Sequence, residues 1–355
     1  MTSFGTQTTA ANWIRRLALA GVLLCFVVVV LGAYVRLTAA GLGCPDWPGC
    51  YGHLTPLGAE QNAASQAAYP NTPLHVGKAW REMVHRYAAS TLGLIIVVLT
   101  ALAIKTRRQR LVSLPHAVAL LVTVVIQGAL GMLTVTWQLK PLIVTLHLLF
   151  GLTTLALLWS LWLSLRAASR GGIRFGGAGL SGGGAYPSRG TPHRVVLVAL
   201  IALAVQIALG GWTSSNYAAV ACPDFPKCQN SWWPETDYKD AFVLWRGLGV
   251  NYEGGVLQHP ARVAIHFTHR LGALVASFAL IFAAIVTLRR QPAPPRARIA
   301  AIAVLAALAL QLFIGASMVL DGFPLPLATA HNAGAALLVL ASVALYQSLR
   351  QAAAR

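Results

Sequence analysis

Apolar residues run through this chain in stretches too continuous for the one-sided stripe of a soluble amphipathic helix. Leu17 to Val35, Leu111 to Leu139, Ile299 to Leu320 and Gly322 to Leu349 contain no Asp, Glu, Lys or Arg, and each matches or exceeds the ~20 residues that carry a helix across a bilayer. The same reading over the whole sequence predicts eight spans, near 14 to 35, 82 to 104, 114 to 137, 142 to 165, 194 to 213, 263 to 288, 297 to 320 and 325 to 349. Hydrocarbon offers no partner for backbone N–H and C=O, so segments of this length must be helical. The predicted fold is all-α, polytopic and embedded in a lipid bilayer.

Composition agrees. Of 355 residues 57% are apolar and 10% charged, where a soluble domain has roughly 45–50% and 25%, which excludes a soluble enzyme. A net charge of +18 would suggest nucleic acid as partner for a soluble protein. Here the basic residues sit between spans, where they set orientation, and nucleic-acid binding is excluded. Arg15 and Arg16 before an apolar run resemble the start of a signal peptide, but no small-residue cleavage site follows, so the run reads as an uncleaved first span. Most of the 27 Lys and Arg fall at the N-terminus, the loops 105 to 115, 166 to 194 and 289 to 298, and the C-terminus. These regions are therefore predicted to be cytoplasmic, as in a bacterial-type inner membrane. The long loops, about 36 to 81 and 214 to 262, are then external, on the side of all nine acidic residues.

A glycine-rich segment, 171 to 192, reads as a flexible cytoplasmic linker between an N-terminal half, 1 to 170, and a C-terminal half, 193 to 355. The halves repeat each other. Gly32, Cys44 and Cys50 recur 178 residues on as Gly210, Cys222 and Cys228; His85-Arg86, Gln127 and His147 recur 184 residues on as His269-Arg270, Gln311 and His331. Two constant offsets imply a tandem duplication of a four-helix unit, the two bundles being related by an axis along the membrane normal.

Four histidines share one depth. His85, His147, His269 and His331 each lie 19 or 20 residues before Lys105, Arg166, Arg289 or Arg350, roughly 28 to 30 Å along a helix from that flank. One such residue is ordinarily a hydrogen-bonded core histidine. Four at matched depth, in two pairs 62 residues apart, point to axial ligation of haem within helical bundles. Zinc or copper would need further Cys, His or carboxylate ligands gathered at one point. His53, His75 and His259 are expected in external loops, and His116 and His193 at solvated helix ends. His266 sits one turn before His269, and its counterpart is Glu82, one turn before His85. A carboxylate there is either an interfacial anchor or a functional group beside a haem ligand.

Cys44-Pro-Asp-Trp-Pro-Gly-Cys50 and Cys222-Pro-Asp-Phe-Pro-Lys-Cys228 place paired cysteines in equivalent external loops. On an oxidising face each pair reads as a disulfide, either a structural staple or, in the first half, a redox-active bond. Cys25, within the first span, reads as packing.

The run Gly32-Ala-Tyr-Val-Arg36-Leu-Thr38 with Gly41-Leu-Gly-Cys44-Pro-Asp-Trp-Pro, then Glu82-Met-Val-His85-Arg86, Cys222-Pro-Asp-Phe-Pro and His266-Phe-Thr-His269-Arg270 resembles the haem A synthase family. The resemblance extends from the first span to the last. It implies an oxidoreductase of haem biosynthesis and cytochrome oxidase assembly that oxidises the C8 methyl of haem O through two hydroxylations and a dehydration to the formyl group of haem A. It further implies haem b as cofactor on His269 and His331, substrate haem O on His85 and His147, and Glu82 as the catalytic carboxylate. A haem O synthase and an electron acceptor are candidate partners, and a homo-oligomer a candidate assembly. Arg36, Arg86 and Arg270 are candidates for propionate contacts, with lipid-phosphate or snorkelling roles as the alternative.

Three other functions compete. A quinol-linked dihaem b-type electron-transfer protein would also need two bis-histidine sites, but would give Glu82 and His266 no reason to differ. A transporter of duplicated halves leaves the matched histidines without a task. A prenyltransferase needs acidic magnesium sites, and no acid lies on the predicted cytoplasmic side.

Overall fold

The computed structural model describes residues 3–109, 111–171, 192–290 and 293–353. The predicted linker, apart from its end residues Gly171 and Pro192, lies outside the described residues. Eleven α-helices are present among the described residues: α1 Ser3–Leu37, α2 Pro56–Glu60, α3 Ala63–Ala67, α4 Val76–Lys105, α5 Leu114–Thr136, α6 Pro141–Gly171, α7 Pro192–Ser215, α8 Tyr238–Ala241, α9 His259–Arg289, α10 Pro295–Leu320 and α11 Leu325–Ala353. Eight of them, all but the short α2, α3 and α8, are long and apolar enough to cross a membrane, at the positions the hydropathy pattern marks.

Several helices outrun their apolar cores. α4 begins at Val76, not near 82, and α9 at His259, not near 263, because intrahelical bonding continues through residues too polar for hydrocarbon, such as Lys78 and Arg81. His259 is accordingly the first residue of a helix and not a loop residue. Prolines mark several of the starts, at the first or second helical position of α5, α9 and α10, where a missing N–H costs nothing.

Within the first half α1 packs on α4 and α6, and α5 on α4 and α6; within the second α7 packs on α9 and α11, and α10 on α9 and α11. Each set encloses its own core, Ile14, Ile96, Leu120, Leu155 and Leu158 in one, and Val196, Leu280, Ala284, Val304 and Leu345 in the other. Small residues at the crossings, Ala18 and Ala103 or Ala283 and Ala301, let helices approach closely where no hydrophobic force drives association. The sets meet along α1, α6, α7 and α11. Trp159 Nε1 donates to the Leu340 carbonyl at 2.9 Å, Gln347 Nε2 to the Ser160 carbonyl at 3.2 Å, and Arg36 Nη2 to the Ser214 carbonyl at 2.6 Å.

The long loops fold onto the helix ends. In the first, Cys44, Cys50, Tyr51 and Ala59 pack against Ala79 and Met83 of α4. In the second, Ala218, Ala241 and Leu257 pack against Trp212 of α7 and Ala261, Ala264 and Ile265 of α9. Lys140, only 1% exposed, donates its Nζ to the Gly247 carbonyl and lies 3.3 Å from the centre of the Trp245 ring, pinning that loop over the α5–α6 turn.

Candidate functional site

Each of the four histidines lies against a glycine on the neighbouring helix. His85 on α4 faces Gly32 of α1, His147 on α6 faces Gly131 of α5, His269 on α9 faces Gly210 of α7, and His331 on α11 faces Gly315 of α10. A methyl added to those glycines would come within 3.0, 3.3, 3.1 and 3.0 Å of the imidazole. Any side chain there would press on the ring and require it to shift by a few tenths of an ångström. All four rings are half-buried, and His85 with His147, and His269 with His331, lie within electrostatic reach of each other.

One turn before three of these glycines stands a glutamine. Gln127 Nε2 donates to the His147 carbonyl at 3.0 Å and lies 3.5 Å from its ring Nε2. Gln206 Nε2 donates to the His269 carbonyl at 3.0 Å and lies 3.1 Å from its Nδ1. Gln311 Nε2 donates to the His331 carbonyl at 3.0 Å and lies 3.3 Å from its Nε2. The sequence holds the signal as Gln-x-x-Leu/Ile-Gly at 127–131, 206–210 and 311–315, with Val28-Val-Val-Leu-Gly32 as a fourth copy lacking the amide. Sequence reasoning found Gln127, Gln311, Gly32 and Gly210 but missed Gln206, Gly131 and Gly315, because the repeat it followed spans four helices and this one spans two.

Glu82 and His266 occupy equivalent places and are both 4% exposed. Glu82 Oε2 accepts the Cys44 backbone N–H at 2.8 Å, and its Oε1 accepts Arg86 Nη2 at 2.5 Å. His266 Nδ1 faces the Cys222 backbone N–H at 3.4 Å, and its Nε2 faces Arg270 Nε at 3.3 Å. The position does one structural job in both halves, seating the first cysteine of the loop. What differs is that only Glu82 carries an ionisable oxygen acid.

Both cysteine pairs are disulfide-bonded, Cys44 to Cys50 and Cys222 to Cys228, each with Cα atoms 4.7 Å apart. The aspartate inside each motif closes the turn that follows: Asp46 accepts the Tyr51 and Gly52 amides at 2.6 and 2.8 Å, and Asp224 those of Gln229 and Asn230 at 2.7 and 2.9 Å. Sequence reasoning assigned neither aspartate a role. Cys25 is free and buried, as its place in the first span predicts.

A family model described as cytochrome oxidase assembly protein, COX15-CtaA, matches residues 15–343. The chain belongs to this family. It is 39% identical to the heme A synthase of Shewanella oneidensis over 94% of this chain and 94% of that protein. It is 30% identical to the heme A synthase of Paracoccus denitrificans over 87% of this chain and 80% of that protein, and 26% identical to that of Chelativorans sp. over 96% and 92%.

The donor set of this COX15-CtaA chain suits haem iron. Among the described residues no three His, Cys, Asp or Glu side chains gather as they would around zinc or copper; the candidates are imidazoles in pairs within electrostatic reach of each other. Nδ1 of His85, His147 and His331, and Oε1 of Gln127, Gln206 and Gln311, are buried without a hydrogen-bond partner. An imidazole with one nitrogen on iron carries its proton on the other and wants an acceptor there. It is the amide nitrogen of each glutamine that lies beside the ring, while the Oε1 atoms of Gln206 and Gln311 lie against Gly272 and Gly334 on the histidine helices.

The three arginines that are candidates for propionate contacts each hold backbone carbonyls. Arg86 Nη1 donates to the carbonyls of Asp46 and Gly49 at 3.0 and 2.6 Å, and Arg270 to those of Cys222, Asp224 and Lys227 at 2.9, 2.8 and 2.7 Å. Each guanidinium fills the concave side of its cysteine loop. Arg36 is committed to the Ser214 carbonyl and to the face of Tyr217, 4.0 Å from the ring centre. Two histidines expected to be solvated have partners instead: His53 Nε2 lies 2.7 Å from Ser65 Oγ, and His116 Nε2 lies 2.9 Å from the Leu157 carbonyl.

The glycine seats carry a test. Gly315→Val should force the His331 ring off α10 and cut bound low-spin haem per protein by about tenfold or more, the cost of disturbing a ligand's orientation. Gly128→Val is the control, since a side chain at 128 meets nothing within 4 Å. Equal haem absorbance in both variants would show that the seat is unnecessary.

Proposed function

We propose that this chain is a haem A synthase of a bacterial-type inner membrane, oxidising the C8 methyl of haem O to a formyl group by two hydroxylations and a dehydration. The observation that carries the reading is the asymmetry of two otherwise matched sites: a carboxylate, Glu82, stands one turn from His85, and an imidazole, His266, one turn from His269. The names of its relatives support the same reading.

In this proposal the C-terminal half, 193–355, holds haem b through His269 and His331, each ring seated on glycine and backed by glutamine. Bound there, haem b would supply one-electron transfer. The N-terminal half, 1–170, takes haem O as substrate through His85 and His147. Glu82 would stabilise positive charge developing at the oxidised carbon or take a proton from attacking water, its carboxylate aimed by the Cys44 amide and Arg86. The disulfide-closed loops, held by Arg86 and Arg270, would cover each site from the outer face and exclude bulk water, with both termini cytoplasmic. Propionates would be met by Arg36, Arg86 and Arg270, whose guanidiniums also hold backbone carbonyls at the outer face. A haem O synthase delivering substrate, an electron acceptor and a homo-oligomer complete the proposal.

The test is extraction and chromatography of haems from membranes supplied with haem O, with and without this protein. Haem A should accumulate only with it. Haem O persisting unchanged, with the protein present and folded, would overturn the assignment.

A further inference from the structure

The end of the bundle that carries the basic flanks holds a cavity for which the haem sites have no use. Its volume is 360 Å³, and it is lined by Arg15, Arg16 and Leu19 of α1 and by Trp162 and Arg166 of α6. The lining is layered by depth. Leu19 lies one turn further into its span than Arg15, and Trp162 one turn further than Arg166, about 6 Å in each case. Three guanidiniums therefore rim an apolar floor. Neither α1 nor α6 contains an Asp or Glu. The wall is held in place from behind: Trp162 stacks on Trp159 with ring centres 4.9 Å apart, and Trp159 Nε1 is bonded to the Leu340 carbonyl of α11. Arg166 lies 5.1 Å from the centre of the Trp162 ring. On the other side Arg16 lies 5.7 Å from that of Trp13, which is 63% exposed, as a tryptophan at headgroup level is.

We propose that this cavity is a binding site for an anionic phospholipid, and that a headgroup with two phosphates fits it better than one with a single phosphate. Basic pockets between spans take such headgroups, and a guanidinium fork meets phosphate oxygens in pairs. One phosphate would leave three cations facing a single negative charge; two phosphates balance them more nearly. The floor selects a lipid over a soluble polyphosphate, because Leu19 and Trp162 lie within the apolar spans and offer acyl chains a path into the hydrocarbon. Arginines that merely snorkel from separate helices toward water would have no reason to converge on one cavity with a fixed aromatic wall.

The test is native mass spectrometry of the full-length protein, delipidated in detergent and titrated with cardiolipin, phosphatidylglycerol or phosphatidylcholine. One cardiolipin per chain should be retained, more tightly than phosphatidylglycerol, with phosphatidylcholine weakest. Arg16→Gln combined with Arg166→Gln should weaken cardiolipin binding roughly 30-fold, each arginine near an anionic headgroup being worth about a factor of five. Arg107→Gln combined with Arg108→Gln removes the same charge from a basic flank outside the cavity, and should leave that binding unchanged. Because Arg16 also helps to orient the first span, Leu19→Trp provides a variant that keeps every charge; it fills the floor and should release the lipid as well. Inorganic pyrophosphate, two phosphates without chains, should not displace cardiolipin at equal concentration. Three results would each overturn the site: equal retention of the three lipids, equal weakening by the cavity and flank variants, or full retention in folded Leu19→Trp. Displacement by pyrophosphate would assign the cavity to a soluble polyphosphate and overturn the lipid.

Discussion

Replacing His269 or His331 with alanine should remove the low-spin b-type haem from purified protein, leaving less than about a tenth of the wild-type signal. In the proposed site each ring would be one of two nitrogen donors from separate helices, and a six-coordinate low-spin iron needs both. Each ring lies close against a glycine, a methyl at Gly210 or Gly315 coming within 3.1 or 3.0 Å of it. Gln206 or Gln311 would keep its bond to the backbone carbonyl at that position, so the loss falls on the ring alone. His85→Ala and His147→Ala should behave differently, keeping the haem of the C-terminal half and losing conversion of haem O. Absorbance and electron paramagnetic resonance spectra of the four variants, normalised to protein, separate the sites. A low-spin signal that survives both His269→Ala and His331→Ala would place the cofactor elsewhere.

Much of this arrangement is legible before any coordinates are. Eight apolar runs and four histidines at matched distances from basic flanks locate the spans and the candidate ligands, because the bilayer imposes a single length scale on every helix. Helix ends are less legible. Hydropathy reports where a helix enters hydrocarbon, while hydrogen bonding carries α4 back to Val76 through Lys78 and Arg81. The short helices α2, α3 and α8 have no span-length pattern to betray them. The loop contacts of Arg86 and Arg270 are less legible too: their charge and depth suit a propionate, and they also donate to carbonyls of the chain's own loops. Those carbonyls are turned inward by the Asp46 and Asp224 turns, a tertiary fact that no spacing encodes. The glutamines beside the rings were readable, since Gln-x-x-Leu/Ile-Gly occurs three times, but the pattern gains meaning only when each glycine is seen against an imidazole.

The position shared by Glu82 and His266 separates structure from chemistry with unusual economy of substitution. Glu82→Gln retains an acceptor for the Cys44 amide while removing the ionisable group. Glu82→His goes further, giving the first half the residue that already seats the second loop beside Arg270. If the carboxylate served only to hold the Cys44–Cys50 loop, Glu82→His should work nearly as well as wild type. We expect the reverse. Both variants should keep the disulfide, the C-terminal haem and substrate binding at His85 and His147, and both should form haem A at least roughly 100-fold more slowly, the lower range for loss of acid-base catalysis. The deficit should persist at saturating haem O, since an imidazole paired with a guanidinium offers no negative charge to a carbon becoming positive. Alkylation without reduction, followed by mass spectrometry, checks that Cys44 and Cys50 remain joined in each variant. Near-normal haem A formation in Glu82→His would reduce Glu82 to an anchor and return the asymmetry of the two halves to the ligands alone.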